Sequence, residues 1–499
     1  MNVLSPTAIL IVIGIYFLFL ICISYITSRG ADNQTFFLAN RKSPWLLVAV
    51  GMIGASLSGV TFISIPGVVG AGGLNQNFSY MQAVLGYLVG YFVIATVLMP
   101  IYYKYQLTTI YGYLNERFGK WSYKTGAAYF ILSRIVGASL RLFLMASVLQ
   151  VFVMDHFGIP FWMTVAITIL LIWVYTYQGG IKTIVWTDTL QTICMLTAVA
   201  LTIIAIKGQL GLSWGGLIGE MKDGGYSRMF YFEGGWIDAN NFFKQFLSGA
   251  LIAIVMTGLD QDMMQKNLTC KSLRDAQKNV GVFSIVLVFA NLMFLMLGAL
   301  LYIYVAKQGI AIPERTDLLY PEVALNHLGP TIGILFVLGL IAAAYSSADS
   351  ALTSLTTSFC IDFLDFEKEG KYTEERKKSL RLMVHVGFSL VLLSVIVAAE
   401  ALSADAVIND LFTAAGYTYG PILGLFAFGI MTRRKILDKG AALVCILAPI
   451  IAYTLDRNSQ AWFGGLKFGW TILAVNGIIT FVGLLINSFI KESSSRLVD

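Results

Sequence analysis

Apolar stretches long enough to cross a lipid bilayer recur along the whole chain. A helix needs roughly 20 predominantly apolar residues to span the hydrocarbon core, and about thirteen stretches of the sequence meet that requirement. The 499 residues are 57% hydrophobic and only 12% charged, whereas a soluble domain is about 25% charged. Because regular helices satisfy their own backbone polar groups in lipid, the sequence predicts an all-α membrane protein in which these helices form one bundle.

The predicted spans are separated by mostly short polar loops, with no low-complexity segment or long linker between them. They cover approximately residues 5–27, 43–70, 79–104, 122–154, 159–178, 182–206, 240–264, 276–307, 325–361, 380–400, 405–431, 438–456 and 467–490. The first span follows MNVLSPTA, which lacks the basic region of a cleavable signal. We therefore expect it to be a true first transmembrane helix.

Lysine and arginine are concentrated in the loops that follow odd-numbered spans, for example at Arg29, Arg41, Lys104, Lys271 and Arg434. The positive-inside rule makes these loops cytoplasmic. The N-terminus is then outside and the C-terminus inside a cell membrane, which we expect to be a bacterial inner membrane. The net charge of +6 follows from this topology. Because the basic residues are spread over separate loops, no nucleic-acid surface is expected.

Most other classes of membrane protein lack support in the sequence. His156, His327 and His385 have no metal-site spacing, and the five cysteines show no metal or disulfide pattern. There is no phosphate-binding loop for ATP, no repeated pore loop and no constellation typical of an enzyme. An ion-coupled transporter remains, and it should have an interrupted helix and polar residues at mid-membrane depth.

The second span contains a candidate interruption, GASLSGVTFISIPG, over residues 54–67. Gly54, Gly59 and Pro66 weaken a regular helix here. An unwound segment would free carbonyl groups to bind a cation. An ordinary kink, or a close helix contact through small residues, would explain the same pattern.

The ninth span contains AAAYSSADSALTSL, over residues 342–355. Ser346 and Ser350 share a helix face and Asp349 lies beside them. Hydroxyl, carbonyl and carboxylate oxygens suit a hard cation. The serines could instead bond carbonyls of their own helix, but a carboxylate at this depth requires a partner or an ion.

Five further charged positions belong to other spans. Asp188 in VWTDTLQT either faces the bundle or reaches to interfacial water. Arg134 and Arg141 lie two turns apart on one face of the fourth span, where they either serve function or form structural ion pairs. Asp260 and Asp262, near the inner end of the seventh span, indicate an inner-gate network or solvated interfacial groups.

Taken in order, the motifs GASLSGVTF, LTTIYGYLNERFG, VWTDTLQT, QKNL with KSLRDAQK, and SSADSALTSLTTSFCIDF resemble the sodium:solute symporter family over roughly 5–490. The resemblance implies a leucine-transporter-like fold with two inverted five-helix repeats, in 43–206 and 240–431. The rest of the chain would comprise a peripheral first helix in 1–42, an extracellular loop in 207–239, and two peripheral helices with a cytoplasmic tail in 432–499. The resemblance further implies alternating access, one or two Na⁺ ions, and no need for an oligomer.

The resemblance also implies two Na⁺ sites. The first would use the carbonyls of Gly54, Leu57 and Ala343 and the hydroxyls of Ser346 and Ser347. The second would use Asp188, Ser346, Asp349 and Ser350. Sialic acid and glucose symporters have Ser or Thr at the position of Asp349. This carboxylate therefore either tightens the second site, holds a proton, or pairs with Arg134 or Arg141.

The substrate implied by the resemblance is a carboxylate-bearing sugar such as sialic acid, or a related organic anion. The residues that suggest it are Ser56, Ser58, Thr61, Phe78, Gln82 and Arg134. A neutral sugar, a polyol or another solute is the alternative substrate, and a non-transporting sensor or binding protein is the alternative class. The inner-gate tyrosine of the galactose transporter falls at Met256.

Overall fold

The computed structural model describes residues 5–27, 33–176, 180–400 and 407–496. Within those ranges every regular element is a helix, and one isolated bridge joins Ser43 to Cys270. The all-helical prediction is therefore confirmed. Three predicted features lie outside the described residues: Arg29, the end of the fifth span and the start of the eleventh span.

Helices occupy all thirteen predicted places. We label them α1 Pro6–Thr27, α2a Trp45–Ser56 with α2b Gly59–Val68, α3 Tyr80–Lys104, α4 Lys120–Phe152, α5 Phe161–Thr176, α6 Ile181–Gln209, α7a Phe242–Gly258 with α7b Gln261–Leu268, α8 Leu273–Gln308, α9 Pro330–Phe363, α10 Glu374–Glu400, α11 Val407–Met431, α12 Asp438–Trp462 and α13 Gly469–Ile490. Ten are unbroken helices long and apolar enough to span a membrane, α2 and α7 are bent pairs, and α5 is a shorter apolar helix.

The second span is broken, as predicted. Its halves α2a and α2b meet at an angle of 50°. Leu57 leaves the helical region with φ −84° and ψ 46°, and Ser58 follows with ψ 177°. The last carbonyls of α2a and the first amides of α2b consequently have no partner within their own helices.

The seventh span is also broken, and here the prediction of one continuous span over 240–264 is wrong. Its halves α7a and α7b meet at 62°, because Asp260 adopts extended backbone and caps α7b. The Asp260 carboxylate accepts from the amide of Asp262 at 2.9 Å and from that of Met263 at 3.3 Å. An aspartate before a new helical turn is a recognised N-cap signal, but apolar periodicity runs through this break and hides it.

The two broken helices lie at the centre of the bundle. Helix α2 packs against α6, α8 and α9, and α7a packs along α3. The backbones of α3 and α7a touch, since a Cβ added at Gly249 would lie 2.0 Å from the carbonyl oxygen of Ala83. Small residues permit this close approach. Each break falls in the first helix of a predicted five-helix repeat.

Candidate cation and substrate sites

The break in α2 opens onto a cavity of about 680 Å³. Its lining comes from six helices and includes Ser56, Leu57, Ser58, Thr61, Tyr80, Tyr87, Tyr91, Arg134, Arg141, Met256, Thr257, Met263, Asn291 and Phe412. Hydroxyls, two guanidinium groups and aromatic rings thus face one space, which suits a small polar solute with an anionic group.

Arg134 lines this cavity but is bound to carboxylates. Its guanidinium pairs with Asp262 and lies 3.7 Å from Asp260, which also accepts a hydrogen bond from the hydroxyl of Tyr419. All three charged side chains are at most 4% exposed. This network ties α4, α7b and α11 together below the cavity, where the predicted topology places the cytoplasmic side.

Arg141 lines the same cavity two turns further along α4. Unlike Arg134, it is not paired with a carboxylate of the described residues. Its side chain is 8% exposed. Among the described residues it has no ion-pair partner, and its Nε has no hydrogen-bond partner. A buried guanidinium without a counter-ion is costly, so Arg141 is placed to receive an anion in the cavity. Neither arginine forms an ion pair with Asp349, so that alternative is wrong: Arg134 pairs with Asp262, and Asp349 accepts a hydrogen bond from the hydroxyl of Tyr175.

A second cavity, of about 260 Å³, lies beyond the two arginines. It is lined by residues of α4 and α11 that include Ser133, Thr418 and Tyr419. Arg134, Arg141, Met256 and Leu411 line both cavities and so form the wall between them. We call these four residues the partition.

Phe78 and Gln82, two of the six predicted substrate residues, do not line the main cavity. Gln82 donates to the carbonyl of Asn240 at 2.8 Å and accepts from the amide of Tyr231 at 3.0 Å, so it anchors the segment that precedes α7. Phe78 is buried next to it. Helix α3 instead presents Tyr80, Tyr87 and Tyr91, whose spacing of seven and four residues places them on one helix face.

The oxygen donors of the first predicted Na⁺ site come from segments that the fold brings together. Gly59, at the start of α2b, would place a Cβ 3.7 Å from the Cα of Ala344. Ala343 and Ser347 belong to the same turn of α9, where the Ser347 hydroxyl donates to the Ala343 carbonyl at 3.4 Å. The Ser346 hydroxyl is fully buried and has no partner among the described residues. A hard cation would satisfy it.

Gly54 brings this region against α6. A Cβ at Gly54 would lie 2.1 Å from Oγ1 of Thr192, and that hydroxyl bonds the carbonyls of Val50 at 2.9 Å and Asp188 at 2.7 Å. We expect Gly54→Ala to displace α2a at a cost of about 1–3 kcal/mol, which would lower the apparent Na⁺ affinity by roughly 5- to 150-fold when the cost falls on the Na⁺-bound state.

Na⁺ titration of uptake would measure this effect. Gly208→Ala is the matched control, because a Cβ there meets nothing within 4 Å. The double variant Gly54→Ala/Thr192→Ala should recover part of the affinity. An unchanged Na⁺ dependence in Gly54→Ala would show that the α2a–α6 contact does not hold the site.

The second predicted site contains a residue that the sequence did not reveal. Lys266, at the end of α7b, extends its ammonium to Asp188 with an Nζ–Oδ2 distance of 2.6 Å. Asp349 accepts from the hydroxyl of Tyr175 at 2.9 Å. Ser350, its neighbour, has a buried hydroxyl without a partner among the described residues. The unrecognised break in α7 had placed Lys266 beyond the span, in a cytoplasmic loop.

A model of the family described as "Sodium:solute symporter family" matches residues 36–448 of the chain. The chain belongs to the sodium:solute symporter family. It is therefore a multi-pass membrane transporter that uses Na⁺, and not an enzyme. The prediction of Na⁺-coupled symport is confirmed.

Relatives of this symporter carry several kinds of solute. It is 25% identical over 475 residues to the sodium/sialic acid symporter SiaT of Proteus mirabilis, covering 90% of this chain and 87% of the relative. It is 25% identical over 436 residues to the human sodium-coupled monocarboxylate transporter 1, covering 84% of this chain and 67% of the relative. The human sodium/iodide cotransporter is 24% identical over 466 residues, which cover 87% of this chain and 68% of that protein.

The symporter's fold matches a solved relative almost end to end. The substrate-bound outward-open structure of a Na⁺-coupled sialic acid symporter superposes with a TM-score of 0.81 at 19% identity, covering 97% of this chain and 98% of that chain. The inward-facing structure of Mhp1 gives a TM-score of 0.51 at 16% identity, with coverage of 91% and 92%. The predicted leucine-transporter-like fold is confirmed.

Proposed function

We propose that this symporter uses the inward Na⁺ gradient to import a small organic anion that carries a carboxylate, with sialic acid as the first substrate to test. The observation that carries the proposal is Arg141: a buried guanidinium without a counter-ion among the described residues, facing the cavity at the break in α2. A planar guanidinium matches a carboxylate with two parallel hydrogen bonds.

The other groups around the cavity support an anionic sugar or acid. Helix α2b begins at the cavity, and its N-terminal amides and dipole favour negative charge. Ser58 and Thr61 supply hydroxyls, and Tyr80, Tyr87 and Tyr91 supply flat surfaces and further hydroxyls. The named substrates of the relatives described above, sialic acid, monocarboxylates and iodide, are all anionic at neutral pH.

This proposal changes the role expected of Arg134. Because Asp260 and Asp262 already compensate it, Arg134 holds the cytoplasmic side closed beneath the substrate. Opening towards the cytoplasm would require α4 and α7b to separate. The interpretation of Asp260 and Asp262 as an inner-gate network is thus favoured over solvation at the interface, since both are at most 1% exposed.

The proposal keeps the predicted orientation, with the N-terminus outside and a bacterial inner membrane as the location. The two repeats in 43–206 and 240–431 would exchange outward and inward access around the cavity. Gly54, Leu57, Ala343, Ser346 and Ser347 would hold the Na⁺ that stabilises the outward-open state. Binding of Na⁺ then favours that state only through its differential affinity.

Reconstitution into proteoliposomes tests the proposal directly. We expect uptake of labelled sialic acid or a monocarboxylate when Na⁺ is outside and choline inside, and collapse of that uptake by a Na⁺ ionophore. Neutral hexoses and polyols should neither accumulate nor compete. Uptake of equal size with choline on both sides would refute Na⁺ coupling, and competition by neutral sugars alone would refute the carboxylate requirement.

A further inference from the structure

Lys266 joins α7b to α6 at the place predicted for a second cation. Its ammonium reaches Asp188 on α6 at 2.6 Å, and Asp349 on α9 belongs to the same predicted site. Asp188 and Asp349 are fully buried and Lys266 is 1% exposed. A lysine this far from water is rare unless it is paired.

The ammonium stands where a metal ion would stand. Calcium, a hard cation, binds carboxylate oxygens at about 2.3–2.6 Å, and the Lys266 Nζ lies 2.6 Å from Asp188 Oδ2. The other donors of the predicted site remain in place around it. Among the described residues, the hydroxyls of Ser346 and Ser350 and the Oδ1 atom of Asp188 are buried without hydrogen-bond partners.

Formal charge gives the same result independently of distance. The predicted first Na⁺ site contributes carbonyls and hydroxyls but no carboxylate, and it shares Ser346 with the predicted second site, which contains Asp188 and Asp349. With both carboxylates ionised, one ammonium and one Na⁺ balance them. A second Na⁺ would leave an uncompensated positive charge in a region of low dielectric, where like charges repel strongly.

We propose that the ammonium of Lys266 is the permanent occupant of the second cation site, so that the symporter binds a single Na⁺ per transport cycle. The inference rests on Na⁺ coupling, and it goes beyond it by assigning the stoichiometry to one residue. It also gives Asp349 a role: its carboxylate provides the negative charge that a tethered ammonium and a mobile Na⁺ share.

Equilibrium binding of ²²Na⁺ to the purified full-length protein, without any organic substrate, tests the proposal. We expect one ion per protomer for the parent protein. Lys266→Met keeps much of the side-chain volume but removes the charge, and it should bind a second ion with a Hill coefficient above one. Lys266→Arg keeps a cation and should still bind one. Lys271→Met, at an exposed lysine five residues away, is the matched control and should match the parent.

Two results would overturn the proposal. Two ions bound by the parent would show that Na⁺ and the ammonium coexist, and this result holds even if Lys266→Met does not fold. One ion bound by a folded Lys266→Met would show that removing the ammonium creates no site. Both measurements are made without an organic substrate. Their results therefore stay valid even if the transported solute proves not to carry a carboxylate.

Discussion

Replacing Arg141 by alanine is expected to reduce Na⁺-driven uptake of a carboxylate substrate by roughly 30- to 4,000-fold. Loss of one partner from a buried, hydrogen-bonded charge pair costs about 2–5 kcal/mol, and each 1.4 kcal/mol is about tenfold in affinity. The effect should appear in the apparent KM, because the guanidinium binds the substrate in the ground state.

Two variants make the Arg141 result specific. Arg141→Lys keeps the charge but loses the planar pair of donors, so it should retain a small part of the affinity. Arg376→Ala changes an exposed arginine at the start of α10 and should transport normally. If Arg141→Ala is folded and takes up the anion with the parent KM, Arg141 is not the carboxylate ligand.

Replacing Arg134 by alanine should instead destabilise the protein. The change leaves Asp262 without its ion-pair partner. Asp260 keeps only its hydrogen bonds to the backbone at the start of α7b and to the hydroxyl of Tyr419, and both aspartates are at most 1% exposed. Breaking a buried pair by removing one partner costs about 3–5 kcal/mol. We expect a clear fall in thermal stability in detergent, together with loss of transport.

A second substitution separates stability from gating. Arg134→Met/Asp262→Asn removes the stranded charge and should recover much of the thermal stability without recovering transport. Lys307→Ala breaks the exposed pair with Glu220 and should change stability by less than about 1 kcal/mol. An Arg134→Ala protein that is as stable and active as the parent would mean that water, rather than Arg134, compensates the two carboxylates.

The membrane-spanning pattern could be predicted because it depends on chain length and apolarity alone. Each predicted span corresponds to a helix, and the glycines and serines around Leu57 disclosed the break in α2. The break in α7 was hidden because Ile254, Val255 and Met256 continue the apolar run almost to Asp260. Because the break was missed, Lys266 was also misplaced. Its side chain reaches Asp188 only because α7b turns back towards α6.

The predicted substrate residues show a different limit of prediction from sequence. Sequence spacing identified both arginines and placed them on one face of α4. It could not show that Asp260 and Asp262, more than 100 positions away, would compensate one of them and leave the other. Similarly, the family resemblance suggested Gln82 as a substrate ligand, but the loop that Gln82 anchors through Tyr231 and Asn240 is distant in sequence. Which polar group is already bonded is a property of the folded bundle.

The partition formed by Arg134, Arg141, Met256 and Leu411 has an electrostatic consequence. These four side chains line both cavities, so a solute or ion that moves from one cavity to the other passes them. Asp262 and Asp260 already neutralise Arg134, which leaves Arg141 as the source of net positive charge at this border. We therefore expect the border to disfavour the passage of Na⁺ and to admit an anion more readily.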